Sequence, residues 1–201
     1  MESSRTFFEN IAGDWAANHT GESTQRLTKI FNERIPPLHG PILDAGSGTG
    51  ILIPFLREKS NGEDKIFQYD IAFNMLEEAK KKNSFPSHVY FVEGDGHELS
   101  FSDNCFDTLF CFQFIPHLVY KEKAFGEFYR VLKSGGRLFI LHLMDHSALN
   151  MLHADADKAI HNHRMPPAVE LAQMIEASGM QVENWEENKE LYFIQAKKQI
   201  N

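Results

Sequence analysis

Asp44-Ala45-Gly46-Ser47-Gly48-Thr49-Gly50 sets a carboxylate directly before three alternating glycines. Glycine lets a backbone turn sharply and approach a ligand closely. A dinucleotide turn of the Gly-x-Gly-x-x-Gly kind would need glycine at position 51, where this chain has Ile51 and brings its third glycine forward to position 50. The acid agrees with that difference, because a carboxylate is repelled by a pyrophosphate and attracted by an ammonium or sulfonium group. Asp70 follows twenty residues after Gly50, a placement suited to accepting hydrogen bonds from both hydroxyls of a ribose. Asp95, within Glu93-Gly94-Asp95-Gly96-His97, suits an exocyclic amine on adenine, with Ile71 and Met75 able to sandwich the base. Any one acid at a strand end is often only a turn former or helix cap. Three in succession, each closing a strand, favour a single crevice that takes a cationic nucleoside.

Histidine is the second chemically pointed residue. Five of the ten histidines, His142, His146, His153, His161 and His163, fall between His142 and Arg164, interspersed with Asp145, Asp155 and Asp157. His142, Asp145 and His146 begin this stretch, and His117 lies upstream in Pro116-His117. A neutral imidazole there could deprotonate a thiol, phenol or amine. The same groups suit Zn, Fe or Ni, although the spacing matches no standard zinc signature. A solvated polar insertion is the third reading, and His161-x-His163-Arg164 could instead grip a ligand carboxylate, Arg164 supplying the fork.

The elements that must position these residues alternate. Two short helices come first, one with Phe8, Ile11, Ala12 and Trp15 on a face and one with Leu27, Ile30, Phe31 and Ile35, ended by Pro36-Pro37. Strands are expected at 41–45, 65–69, 88–92, 106–112 and 137–143, with helices at 51–57, 74–82, 121–133 and 167–178 and a turn at Ser134-Gly135-Gly136. Two terminal strands near 181–185 and 191–196 are joined by a tight polar turn and must be antiparallel. This predicts an α/β, doubly wound, seven-stranded sheet, mostly parallel, with one reversed strand and helices on both faces.

Composition narrows the function classes. The chain has 201 residues, 42% hydrophobic and 24% charged, as in ordinary globular domains. Its net charge of −8 opposes sequence-independent binding to nucleic acid. Lys80-Lys81-Lys82 closes a helix, where cations offset the macrodipole. No run approaches the roughly 20 apolar residues that cross a bilayer, the first residues lack an apolar signal core, and Cys105 and Cys111 read as ordinary thiols; a soluble cytoplasmic protein is expected. The 17 Phe predict an aromatic-rich core or pocket.

Ile42 to Gly50 resembles the first motif of class I S-adenosylmethionine-dependent methyltransferases, of the small-molecule, methyltransferase type 11-like kind. Asp70 with Met75-Leu76 and Ala79, Gly94-Asp95-Gly96-His97 followed by Leu99-Ser100-Phe101, Phe106-Asp107, and Tyr129-Arg130 through Arg137-Leu138 match later motifs in order. The resemblance covers about residues 42–143 and the terminal hairpin. It implies a Rossmann-like methyltransferase fold, S-adenosyl-L-methionine as cofactor, and Asp44, Gly46, Ser47, Gly48, Asp70, Ile71, Met75, Asp95, Gly96, His97 and Phe112 as its binding residues. It also implies a single domain: a helical cap at 1–35, a cofactor core at 36–142, a His-rich insertion at 143–166, and a last helix and hairpin at 167–201. Phe7, Phe8, Trp15 and His19 are expected to line the acceptor pocket, and Phe7-Phe8-Glu9-Asn10-Ile11-Ala12 with Trp15 resembles the lid of small-molecule methyltransferases, including those of quinone biosynthesis. The chain departs from many small-molecule members at Pro116-His117, where they carry a histidine pair, and at Cys111, where a small polar residue is common.

Methyl transfer is an in-line displacement on an activated donor, so alignment and desolvation supply most of the catalysis. A base is needed only when the acceptor atom carries a proton. His142, Asp145, His146 and His117 are the candidates for that role. The expected partner is a small-molecule substrate, with no nucleic acid, no membrane and no metal; a homodimer is left open. A nucleotide-dependent oxidoreductase, and a non-catalytic module that binds cofactor or metal through its histidines, are the competing readings.

Overall fold

A computed structural model of the chain describes residues 4–17, 21–60, 62, 64–82 and 87–200. Helices α1 (Ser4–Ala17) and α2 (Gly21–Arg34) precede β1 (Ile42–Ala45), α3 (Ile53–Lys59), β2 (Ile66–Asp70), α4 (Phe73–Lys82), β3 (Val89–Glu93) and β4 (Phe106–Phe112). There follow a 3-10 turn (Ile115–His117), α5 (Lys121–Val131), β5 (Leu132–His142), α6 (His146–Ala154), α7 (Ala168–Ala177), β6 (Met180–Asn188) and β7 (Leu191–Lys198). The seven strands form one sheet in the order β3-β2-β1-β4-β5-β7-β6. β1 through β5 are mutually parallel where they pair, and β7 runs antiparallel to both β5 and β6. Among the described residues no helix is long and apolar enough to cross a membrane.

The period-2 alternation of a strand sorts its residues onto opposite faces. In β5, Leu138 and Ile140 join the α5 and α7 side with Phe125, Phe128, Leu171 and Ile175, while Phe139 and Leu141 join the α2 and α3 side with Phe31 and Leu56. Phenylalanines thread both layers. Phe31, Phe110 and Phe139 stack in sequence at centroid separations of 5.7 and 4.9 Å, and Phe101 and Phe106 pair edge to face at 4.9 Å on the other side.

Strand order reverses between β1 and β4, the switch point outside which doubly wound sheets bind ligands. One expectation is corrected and another gains detail. The turn at 134–136 is an irregularity inside β5, which already begins at Leu132, with the register to β4 shifting between Phe106 and Thr108. The stretch read as an insertion contains helix α6, because Asp145 accepts the Ala148 amide at 2.7 Å and starts it. In the lysine run, Lys80 and Lys81 pair with Glu77 and Glu78 one turn back on α4. Cys111 is buried and Cys105 partly so, both free.

Candidate active site

A cleft opens at the carboxyl ends of β1, β2, β3 and β4, enclosing about 1030 Å³ of empty space with its mouth included. Gly46, Ser47, Gly48, Asp70, Ile71, Met75, Asp95, Gly96, His97, Phe112 and His117 all line it. The loop after β1 turns through positive φ at Gly46 (70°) and Gly48 (53°), values that exact a steric penalty from any residue with a Cβ. The loop is closed from the next strand: Gly46 and Ser47 donate their amides to the Tyr69 carbonyl at 2.8 and 3.1 Å, and Gly48 donates its amide to Asp70 Oδ2 at 2.8 Å.

Asp70 Oδ1 also accepts the Ala72 amide at 2.9 Å. Burial raises this carboxyl to about 6, against the opposing pull of the Ala72 and Gly48 amides. Each carboxylate oxygen keeps a further lone pair for a ligand hydroxyl. Asp95 Oδ1 accepts the His97 amide at 2.8 Å and faces His97 Nδ1 at 2.6 Å. The Tyr120 amide donates to His97 Nε2 at 3.2 Å, so the proton of His97 belongs on Nδ1. Burial pushes Asp95 up, but these bonds from His97 outweigh it and hold the carboxyl below its usual range.

Asp44 is the one expected cofactor residue outside the lining. It is buried beneath the glycine loop, where Gln68 Nε2 donates to its Oδ2 at 3.1 Å and its Oδ1 has no partner within the protein. Burial raises it to about 7. Ser47 Oγ is likewise buried without a protein partner. These two orphaned oxygens beside a glycine cradle, with the Asp70 carboxylate at its rim, fit the polar groups of a nucleoside that also carries a cationic amino acid moiety.

The histidine expectations divide. His117 lines the cleft, its ring edge-on to Phe8 at 4.8 Å. His142 lies outside the lining, fully buried against Tyr192 with both ring nitrogens unpartnered. Asp145 and His146 also lie outside the lining: Asp145 caps α6, and His146 gives its amide to Glu187 Oε1 and sets Nδ1 2.6 Å from the same oxygen. A consecutive acid and histidine after a strand are spent where a helix begins. Among the described residues no three His, Cys, Asp or Glu side chains stand together so as to hold a metal ion. Helix α1 covers the cleft with Phe8 and Trp15, both of which line it; His19 lies outside the described residues.

Several lining residues escaped the sequence reading, Gln113 and Phe114 above all. Gln113 adopts φ of 53° at the end of β4, a left-handed state uncommon away from glycine and frequent at functional sites. The Phe114 ring fills the space two glycines leave. A Cβ on Gly46 would lie 2.2 Å from Phe114 Cδ2, and one on Gly96 would lie 2.7 Å from Phe114 Cζ. Glycine at both positions was the only trace of this ring in the sequence.

Residues 43–140 match the methyltransferase domain family. The demethylmenaquinone methyltransferase of Thermus thermophilus is 41% identical over 102 residues, covering 50% of this chain and 46% of that protein. The chain spans less than half the length of the curated quinone methyltransferases it matches. Among solved structures, a chain of the complex between the Haloferax volcanii Trm112 methyltransferase activator and a methyltransferase superposes with a TM-score of 0.81 at 15% identity, covering 99% of both chains. A SAM-dependent methyltransferase from Aquifex aeolicus gives 0.66 at 20% identity, covering 87% of this chain and 88% of its own. At those identities the likeness is one of fold.

Proposed function

We propose that this chain, whose residues 43–140 match the methyltransferase domain family, is a class I S-adenosylmethionine-dependent methyltransferase that transfers the methyl group of S-adenosylmethionine to a small-molecule acceptor bound under α1. The observation that carries this reading is the convergence of the glycine loop, Asp70 and Asp95 from three successive strands on one cleft. When bound, the donor supplies a methyl group on a positively charged sulfur. The chain's own part is to hold and align. Asp70 accepts from the ribose hydroxyls, Asp95 and the 94–97 loop receive the adenine, and Ile71 and Met75 flank its faces. Asp44 and Ser47 beneath the glycine loop receive polar hydrogens of the amino acid portion. Helix α1, with Phe8 and Trp15, excludes water from the reacting atoms.

Calorimetry with S-adenosylhomocysteine tests the assignment. Binding is expected for the wild type, and Asp70→Asn should weaken it at least tenfold. Only the ionised Asp70 accepts with both oxygens. With its proton held up to about pH 6, wild-type affinity should fall as pH drops through 6, approaching tenfold per pH unit below it. In Asp70→Asn the part of the slope that sets in at about 6 should disappear, leaving only the shallower fall that begins nearer 7, where the buried Asp44 takes up its proton. Stabilisation of the protein by NAD and not by S-adenosylhomocysteine would overturn the assignment in favour of a nucleotide-dependent oxidoreductase.

A further inference from the structure

His117, His153 and His163 stand together beside the cleft, with ring centroids 5.0 to 6.4 Å apart. Of the three only His117 lines the cleft. His163, brought from 46 residues away, places its Nδ1 2.8 Å from His117 Nδ1. Two imidazole nitrogens that close must share a single proton, one donating and the other accepting. The far nitrogen of His163, Nε2, lies 3.2 Å from Ser4 Oγ on α1. His153 Nδ1 faces the His163 carbonyl at 3.2 Å, so its own proton is directed there.

Resting on the methyltransferase reading above, we propose that His117 is the base that takes a proton from the acceptor, and that His163 is the positioning residue that keeps His117 in the tautomer able to do so. In this arrangement His117 Nδ1–H donates to His163 Nδ1, His163 Nε2–H donates to Ser4 Oγ, and His117 Nε2 keeps a bare lone pair. The rest of the wall nearby, Phe8, Trp15, Phe114 and Leu118, is apolar and mostly aromatic. It selects a flat, neutral acceptor carrying a weakly acidic hydroxyl. A carboxylate or thiolate would need no base and would be poorly solvated there.

His163 and His153 touch His117, and His142 and Lys121 act on it from further off, all four opposing a positive charge on the ring. Burial, then these neighbours, hold the ring unprotonated well below its usual range. Such an imidazole is a weak base that is always available. Weakness suffices, because the hydroxyl proton becomes far more acidic as its oxygen bonds to carbon. In the step, a lone pair on the hydroxyl oxygen forms the new bond to the methyl carbon, the carbon–sulfur pair leaves with sulfur as a neutral thioether, and the O–H proton passes to His117 Nε2.

The tautomer is measurable without turnover. Nitrogen-15 NMR of the histidine-labelled protein, with and without S-adenosylhomocysteine, should show His117 at pH 7 with a protonated Nδ1 and a bare Nε2. His163→Ala should lose that signature. His163→Gln, whose amide oxygen can still accept from Nδ1–H, should restore it. With 2-naphthol as a neutral probe at pH 7, His163→Ala should slow methylation by about 100-fold, the low end for loss of a general base, and His163→Gln should recover most of the rate. With 4-nitrophenol above its own pKa, an anion that the apolar wall admits less readily but that needs no base, the two variants should match the wild type at whatever lower rate the wild type shows. A wild-type His117 protonated on Nε2 would overturn the proposal, as would equal slowing of both phenols or no recovery by His163→Gln. If neither phenol is methylated, the spectra alone decide. Loss of S-adenosylhomocysteine binding in wild type would instead count against the function proposed above and leave the tautomer result standing.

Discussion

His142 ends β5 fully buried, with neither ring nitrogen bonded and Tyr192 edge-on at 5.9 Å. An unmet polar group in such a place costs about 1–3 kcal/mol. Burial, aided by His153, drives its pKa down to about 3. The unfolded chain therefore binds a proton here near pH 6.5 that the folded chain refuses until about 3, and the residue's drag on stability grows as pH falls below 6.5. His142→Leu should raise the unfolding free energy by about 1–3 kcal/mol at pH 7.5, with the gap to wild type widening toward pH 5 in denaturant titrations, and should leave S-adenosylhomocysteine affinity intact. A variant that loses the cofactor would return His142 to the site. The acids and glycines were legible in the sequence because their role depends on position along the chain, at the end of a strand, which spacing reports. Of the candidate histidines only His117 was placed on the cleft by its position after β4; the others were not, because where they lie depends on which way a side chain turns, and the partner of His117 stands 46 residues off, at His163.

At the scale of elements, Glu187 on β6 ties two helices together. Its Oε1 accepts the His146 amide at the start of α6 and its Oε2 accepts the Ala168 amide at the start of α7, both at 2.8 Å. Asp145 completes the α6 terminus by accepting from Ala148. Asp145→Ala should lower stability by about 0.5–2 kcal/mol, the ordinary cost of a lost N-cap, with methyl transfer unchanged at temperatures where the variant is folded; a selective loss of rate would put Asp145 back among catalytic residues. Helices with an apolar stripe, such as α2, α5 and α7, were readable from period, and strands buried on both faces, such as β1 and β4, from short apolar runs bounded by turns. Helix α6 was not, since its nine residues bury only Leu149 and His153 and its start is set by a cap. Nor was the early start of β5, where Gly135 at φ 79° and Gly136 imitate a turn while the chain stays beside β4.

Across the whole molecule the sheet is held by two apolar layers, whereas α1 is held differently. Its apolar contact with the body is a small cluster of Phe8, Ile11, Ala12 and Trp15 against Ala72 and Met75. Phe8 also meets His117 edge-on, and polar contacts add to the hold: Arg5 pairs with Glu93, and the Glu9 carboxylate accepts the Phe73 and Asn74 amides at the start of α4, each at 2.8 Å. Those contacts are exposed at the surface. Exposed charges feel one another over about 10 Å in 0.1 M salt and only about 3 Å in 1 M. Ionic strength should therefore act on the helix over the cleft and spare the sheet below it. Stopped-flow release of S-adenosylhomocysteine should quicken several-fold between 0.05 and 1 M sodium chloride, about the range of a Debye length shrinking past contact distance, while the melting temperature moves little. The access rate of the cleft would then be a property of the solvent as much as of the fold.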